Sequence, residues 1–555
     1  MGHRSPATRT VVALSVGLAL LAAACGSTSS SKTGAGRSAS TGTADAATVV
    51  YHDVLRSRGG TPKRGGSLVY AVEGEADGWN PTSARWTEPA LTEANTVFDP
   101  LAAWGTHYDV EPYLAQSITH SADYREWDIK LRPNVTFHDG EPLDAAALKL
   151  DLDMVKASAL AGSSLGPVTG FSVVDPLTVA VHMSMPWTAF PAVLTSQDGM
   201  VAAPKQLKAN DTQHPIGTGP FAFSSWTPNS TFVVHRNPHY WRAGLPYLDQ
   251  VTFKPIVEQT TMYESLVNGD VDMLSTSIVL IQNKLATDAA HGQIQLVYSR
   301  GETEENLTML NTIAPPFNDL RLRQALAYAT DTASWAKTVG IDPRTLADGP
   351  FAPGSKWYIP TGYPTYDLAK ARSLVQQVQA QRGPVSFTLQ CTADTVVAQT
   401  CQILQSEWGK AGMHVAIKTV DEPTLIANAV GGAFQADIWR QFGEQDPDGD
   451  FVWWDSSTSH PPLALNMARN RDPKLDAALY NGRTTDQEYE RKLDYITVAR
   501  RLAVDLPYIW LNHTVWVVGA SNSVHGFDQT TLPDGTPTDA VTSGVERLGQ
   551  IWLSR

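Results

Sequence analysis

The chain has 555 residues, 42 lysines and arginines against 56 aspartates and glutamates, and a formal net charge of −14. That balance excludes the clustered basic surface that nucleic acid or an anionic membrane face requires. The length allows more than one lobe, and 16 tryptophans within a 42% hydrophobic composition supply a large core.

The first predicted element is an address. Arg4 and Arg9 precede an apolar run over 11–20, followed by Leu21-Ala22-Ala23-Ala24-Cys25-Gly26. A short basic stretch, a short apolar core and small residues describe a secretory signal. The run is too short to stay as a membrane span, which needs about 20 apolar residues. Its ending on a cysteine points to a bacterial lipoprotein signal over 1–24, with Cys25 as the lipidated first residue. The usual lipobox has Leu where this chain has Ala22, and Leu21 lies one place further back. An ordinary signal peptide with a chance cysteine is the alternative. Residues 25–60 are mostly Ser, Thr, Gly and Ala at first, too poor in apolar groups to order themselves, and read as a flexible tether.

The folded body is expected to start near Arg64, with a strand over 67–72. Trp127 to Leu131 alternates as a half-buried strand, and Val135 to Phe137 is expected to continue it past Pro133. Asp139-Gly140 makes a turn and Asp144 caps a helix whose face is Leu148, Leu152 and Val155. A helix starting at Asn318 or Asp319 places Leu322, Ala325, Leu326 and Ala329 inward and Arg321 and Arg323 outward. Another starts at Asp367 with Ala371, Leu374, Val375 and Val378 inward. A last one starts at Asp486 with Tyr489, Leu493 and Ile496 inward. Strands are expected at 232–235, 250–253, 385–389 and 414–417. Strands and helices mix throughout, so the fold class is α/β in two or more lobes. Three cysteines occur. With Cys25 set aside, Cys391 and Cys401 form either a disulfide in an oxidising compartment or two buried thiols.

Catalytic signatures are sparse. There is no GxxxxGK[ST] loop and no HExxH helix. Gly162-Ser163-Ser164-Leu165-Gly166 satisfies GxSxG, but a nucleophile elbow needs a preceding strand and a following helix. Here a helical stretch precedes and Pro167 follows. His138-Asp139 reads as turn chemistry. The acidic run Glu444-Gln445-Asp446-Pro447-Asp448-Gly449-Asp450 lacks the spacing of a calcium loop. Trp439, Phe442, Phe451, Trp453 and Trp454 flank it, and acidic groups among aromatic rings suit an ammonium ion. The competing reading makes those rings core.

Several segments in order resemble the extracytoplasmic solute-binding proteins of the peptide/nickel ABC-transporter family. They are Gly65-Gly66-Ser67-Leu68, Gly78-Trp79-Asn80-Pro81, Val97-Phe98-Asp99-Pro100-Leu101, and Val135-Thr136-Phe137-His138-Asp139-Gly140-Glu141-Pro142-Leu143. The series continues with Pro215-Ile216-Gly217-Thr218-Gly219-Pro220-Phe221, Arg236-Asn237-Pro238-His239-Tyr240-Trp241, and Pro316-Phe317-Asn318-Asp319-Leu320-Arg321. The resemblance implies a two-lobed periplasmic-binding-protein-like fold with a hinge. Residues 61–101, 215–300 and 519–555 would build a discontinuous first lobe, 102–214 an inserted domain and 301–518 the second lobe.

The resemblance also implies a binding component that captures a small solute by hinge closure and delivers it to an ABC permease with its ATPase subunits. The expected cargo is an oligopeptide; the chain is expected to be a monomer with no cofactor, no metal site and no catalytic residue. Peptide-binding members carry an acidic residue three places before a DP aspartate. This chain has Gly443 there and Glu444 one residue later, so Glu444 is the candidate ammonium ligand, with Asp446 second. Trp439, Trp86, Arg85 and Arg440 are the other expected ligand contacts, either arginine meeting a terminal carboxylate. An extracytoplasmic hydrolase using Ser164 or the acidic loop, or a sensor lipoprotein on the same fold, are the alternatives.

Overall fold

The computed structural model describes residues 59–555 apart from 85, 159–160, 300–302 and 461–463. The signal over 1–24, Cys25, nearly all of the tether and Arg85 therefore lie outside the described residues. Among the described residues no helix is long and apolar enough to cross a membrane.

Three large sheets organise the chain. The first has seven strands in the order 295–298, 517–520, 273–276, 67–72, 250–255, 231–236 and 221–227. Ser67–Val72 runs parallel to Gln250–Pro255 and Met273–Thr276, and Val517–Ala520 returns antiparallel between two neighbours. Leu68, Tyr70, Trp79, Phe98 and Phe253 are fully buried in its core. The second sheet has four antiparallel strands, 115–120, 126–131, 178–183 and 168–175, and its own core. The helix Ala145–Ala157 contributes Leu148, Leu152 and Val155 to that core, and Asp144 caps it by accepting from the Ala147 N–H.

The third sheet has five strands in the order 414–419, 386–391, 436–441, 305–310 and 508–513. The helices Leu320–Ala329, Leu368–Arg382 and Thr395–Lys410 supply buried residues to its core. Cys391, at the end of one strand, is bonded to Cys401 on the last of these helices. Two segments link the first and third sheets, after Tyr298 and after His513. They pair with each other: the Ser299 N–H donates to the Trp516 carbonyl at 2.9 Å and the Thr514 N–H to the Glu304 carbonyl at 2.8 Å. Val517 and Val518 already belong to the seven-stranded sheet, two residues before the expected return at 519.

Three local expectations need correction. Val135 to Phe137 is no strand. Asn134 takes a left-handed conformation (φ 61°) and the chain folds back, the Phe137 N–H donating to the Glu141 carbonyl at 2.8 Å. Arg323 does not point outward: it is buried and donates to the carbonyls of Asp505 at 2.6 Å and Phe317 at 2.7 Å. In the last helix, Glu488–Asp505, the inward residues are Tyr495, Val498, Ala499 and Leu502. Tyr489 and Leu493 are 74% and 46% exposed. The inward stripe begins with a charge, Arg491, so a search for apolar spacing chose the wrong face.

Candidate functional site

The site is built where the two linking segments leave the large sheets. Glu73 ends the strand Ser67–Val72. Its carboxylate accepts from the Ser277 N–H at 2.5 Å and from the Thr276 hydroxyl at 2.6 Å, which fixes it to the neighbouring strand end. Glu88 opens the helix Glu88–Val97, where the helix dipole favours an acid. Glu304 stands just before the strand Glu305–Leu310 and is 2% exposed. Arg440, on the strand Ala436–Gln441, reaches into this group. Its Nε donates to Glu304 at 2.6 Å, its Nη2 donates to the same oxygen, and its Nη1 donates to the Ser277 hydroxyl at 3.2 Å.

The electrostatics follow from burial. Removing a carboxylate from water favours its neutral form. Burial raises Glu73, against the pull of Arg440. Burial, then the neighbouring Glu304, holds Glu88 far above the carboxylate range. Burial also works against the charge of Arg440, but Glu304, Glu88 and Glu73 outweigh it and keep the guanidinium above its ordinary value. The Trp516 ring lies 5.2 Å from that guanidinium and covers it. Arg440 is therefore not free to meet a ligand carboxylate, as the sequence suggested; three acids already surround it.

The acidic loop divides into spent and unspent groups. Asp446 is paired with Arg491 through two bonds of 2.7 and 3.0 Å. Asp448 accepts from Arg483 Nε at 2.7 Å and from the Trp187 indole at 2.5 Å. Asp446 therefore holds the loop and is not open to a ligand. The Asp450 carboxylate accepts from the Glu444 N–H at 3.2 Å, and burial followed by Glu444 pushes it well up. Glu444 alone in the loop has a carboxylate with no hydrogen-bonded or ion-paired partner among the described residues. Its side chain is exposed, beside the buried Asp448 and Asp450. Burial, then Asp198 and Asp446, lifts it to about 7.

Asp198 stands on the short turn Gln197–Gly199, after the four-stranded sheet, and accepts from the Ser164 hydroxyl. Burial raises it to about 6. Two carboxyls from different parts of the chain thus influence each other. Trp439 is half-buried on the same strand as Arg440 and packs on the core of the third sheet. Trp86 is not brought to it. Its indole donates to the Gly78 carbonyl at 2.9 Å and its ring packs 5.8 Å from Phe98. Sequence reasoning missed Glu73, Glu88, Glu304 and Asp198. Only the acid at the start of a helix left a signal, at Glu88.

Residues 109–461, more than half of the chain, match the family model described as bacterial extracellular solute-binding proteins, family 5. The chain belongs to that family.

As a family 5 member it is a binding protein rather than an enzyme, the extracytoplasmic solute-binding component of an ABC importer with permease and ATPase partners. Ser164 follows a single 3₁₀ turn, Ala161–Ser163, and its hydroxyl donates to Asp198 and to the Ala161 carbonyl. The chain is 28% identical over 449 residues to the glutathione-binding protein GsiB of Pectobacterium atrosepticum, covering 79% of this chain and 86% of that one. The fold is similar to DppA of Helicobacter pylori in complex with the peptide STSA (TM-score 0.76, 21% identity, 89% of this chain and 99% of that one). It is also similar to NikA of Brucella suis in complex with Fe(III)-EDTA (TM-score 0.75, 23% identity, 88% and 100%). These likenesses place the family 5 member in the two-lobed periplasmic-binding-protein fold.

Proposed function

We propose that this chain captures a short peptide, or a peptide-like solute with a free ammonium group, and that Glu444 receives that group. The observation that carries the reading is the unpaired, accessible Glu444 carboxylate, set among the charges of Asp198 and Asp446. A carboxylate with no counter-ion beside other acids is repelled by them, and an incoming ammonium removes that repulsion. The glutathione-binding relative and the peptide-bound structural neighbours support the ligand class.

Closure about the paired segments at Ser299/Trp516 and Thr514/Glu304 would then cover the ligand, since capture requires a closed form that binds it better than the open one. The lobe boundaries given by the sequence remain part of this reading. So does the anchor: Cys25 carries lipid and 25–60 tethers the body near its permease, raising its effective concentration there.

Calorimetric titration of a tripeptide and its N-acetylated form tests the ligand group. The free tripeptide binds the wild type and loses about 30–100-fold in affinity to Glu444→Gln, as about 2–3 kcal/mol is lost with a desolvated charge partner. Equal affinity for the two proteins would remove Glu444 from the role. Labelling with a palmitate analogue tests the anchor: the wild type takes up label and Cys25→Ser does not, whereas an unlabelled wild type contradicts anchoring.

A further inference from the structure

At the opposite end of the helix Glu88–Val97 from Glu88 lies a second charged pocket, bounded by Asn95, Asp99, Tyr113, Arg242 and Arg547. Arg242 is engaged. Its Nη1 donates to the Tyr113 hydroxyl at 3.1 Å, and its Nη2 to the carbonyls of Thr531 at 2.8 Å and Leu532 at 3.2 Å. Arg547 is different. Its guanidinium has no hydrogen bond or ion pair among the described residues and touches only the Tyr113 ring, 5.4 Å from the centroid. Arg242 lies 5.6 Å from the same centroid, so two like charges flank one ring.

The nearest acid cannot serve Arg547. Asp99 already accepts from Trp241 Nε1 at 2.7 Å, Tyr240 Oη at 3.1 Å and Thr218 Oγ1 at 3.2 Å. Arg132, the other cation facing Arg242, is offset by Asp534. Arg242 and Arg547 against Asp99 leave one positive charge uncompensated. Burial, then Arg242, works against the charge on Arg547, yet a guanidinium does not shed its proton. Arg547 is half-buried, and a charge so placed beside a like charge favours an anion.

The pocket leaves about 20 Å³ open to the centre of a water-sized molecule. One such centre needs about 10–15 Å³, so one small ion fits and a peptide or sugar does not. The Asn95 side chain lines the same space and makes no hydrogen bond among the described residues. We propose that this pocket binds one small monovalent anion of the chloride class, held by Arg547 with Arg242 and the Asn95 amide, and that the anion fastens the C-terminal segment to the start of the first lobe.

Two measurements on the full chain test it. Crystals equilibrated in about 0.15 M bromide, near physiological ionic strength, should show an anomalous peak beside the Arg547 guanidinium; a pocket without that peak overturns the proposal. The melting temperature should rise when chloride replaces gluconate at fixed ionic strength, and the rise should vanish in Arg547→Gln. A chloride response of the same size in both proteins also overturns it.

Discussion

Arg440 donates two hydrogen bonds to Glu304 and a third, of 3.2 Å, to the Ser277 hydroxyl, so one guanidinium from the five-stranded sheet is tied to the end of the seven-stranded one. Glu73 and Glu88 stand beside it and would repel Glu304 without it. Removing it leaves buried carboxylates with no cation.

Arg440→Met should therefore cost about 3–5 kcal/mol, the usual penalty for breaking one side of a buried pair. Urea unfolding of the variant measures this. Adding Glu304→Gln should restore part of the loss, because the stranded charge is then gone. A double variant less stable than Arg440→Met would show that the pair is not the source.

Stability should fall as pH rises. Asp151 is buried, accepts only from the Ala202 N–H at 3.0 Å, and is pushed by burial up to about 8. Glu546 is fully buried with the Tyr70 hydroxyl at 2.6 Å and is likewise raised to about 8. In the unfolded chain both titrate near their ordinary values of about 4. Between those limits the folded state binds more protons than the unfolded state, so its stability declines with increasing pH. Urea midpoints at pH 5, 7 and 9 should decrease in that order. Asp151→Asn should decline less steeply, since the amide has no proton to lose.

The Cys391–Cys401 bond spans 10 residues between a strand end and a helix. Closing a loop of that size in the unfolded chain is worth about 2–3 kcal/mol by chain entropy. The paired substitution Cys391→Ser/Cys401→Ser should lower the urea stability by that amount while peptide affinity stays within about twofold, because neither sulfur is near Glu444. Thiol titration of the unfolded, unreduced wild type should find the pair unreactive.

Asp448 joins three parts of the chain: it accepts from Trp187, in the core of the four-stranded sheet, and from Arg483, whose guanidinium lies 3.8 Å from the centroid of the Phe451 ring. Thr188 adds bonds from its N–H and hydroxyl to the Arg483 carbonyl, both 3.0 Å. Asp448→Ala should speed hydrogen exchange around Trp187 and Thr188 without altering exchange in the core of the seven-stranded sheet. Uniform acceleration throughout would mean that the contact is global rather than local.

Much of the fold was legible in the sequence because its signals are local. Alternation over Trp127 to Leu131 marked the strand Glu126–Leu131, and the Asp144 cap and the polar residues at 318–319 and 367 marked helix starts that the structure keeps. The errors have a common cause. Arg323 and Arg491 are buried because carbonyls and an aspartate from distant segments satisfy them, and no apolar spacing announces that. The same holds at the site. Glu444 stood out beside its motif, but the engagement of Asp446 by Arg491, and the approach of Asp198, depend on contacts more than 40 residues apart. Arg440 looked like a free cation in the sequence; only the structure collects three acids around it.

The central claim is that Glu444 and the ligand's ammonium interact directly. A double-mutant cycle tests it: wild type and Glu444→Gln, each titrated with a free and an N-acetylated tripeptide. The account predicts a coupling of about 2 kcal/mol, with acetylation costing the wild type heavily and the variant little. Losses that simply add, so that acetylation costs both proteins the same, would contradict it.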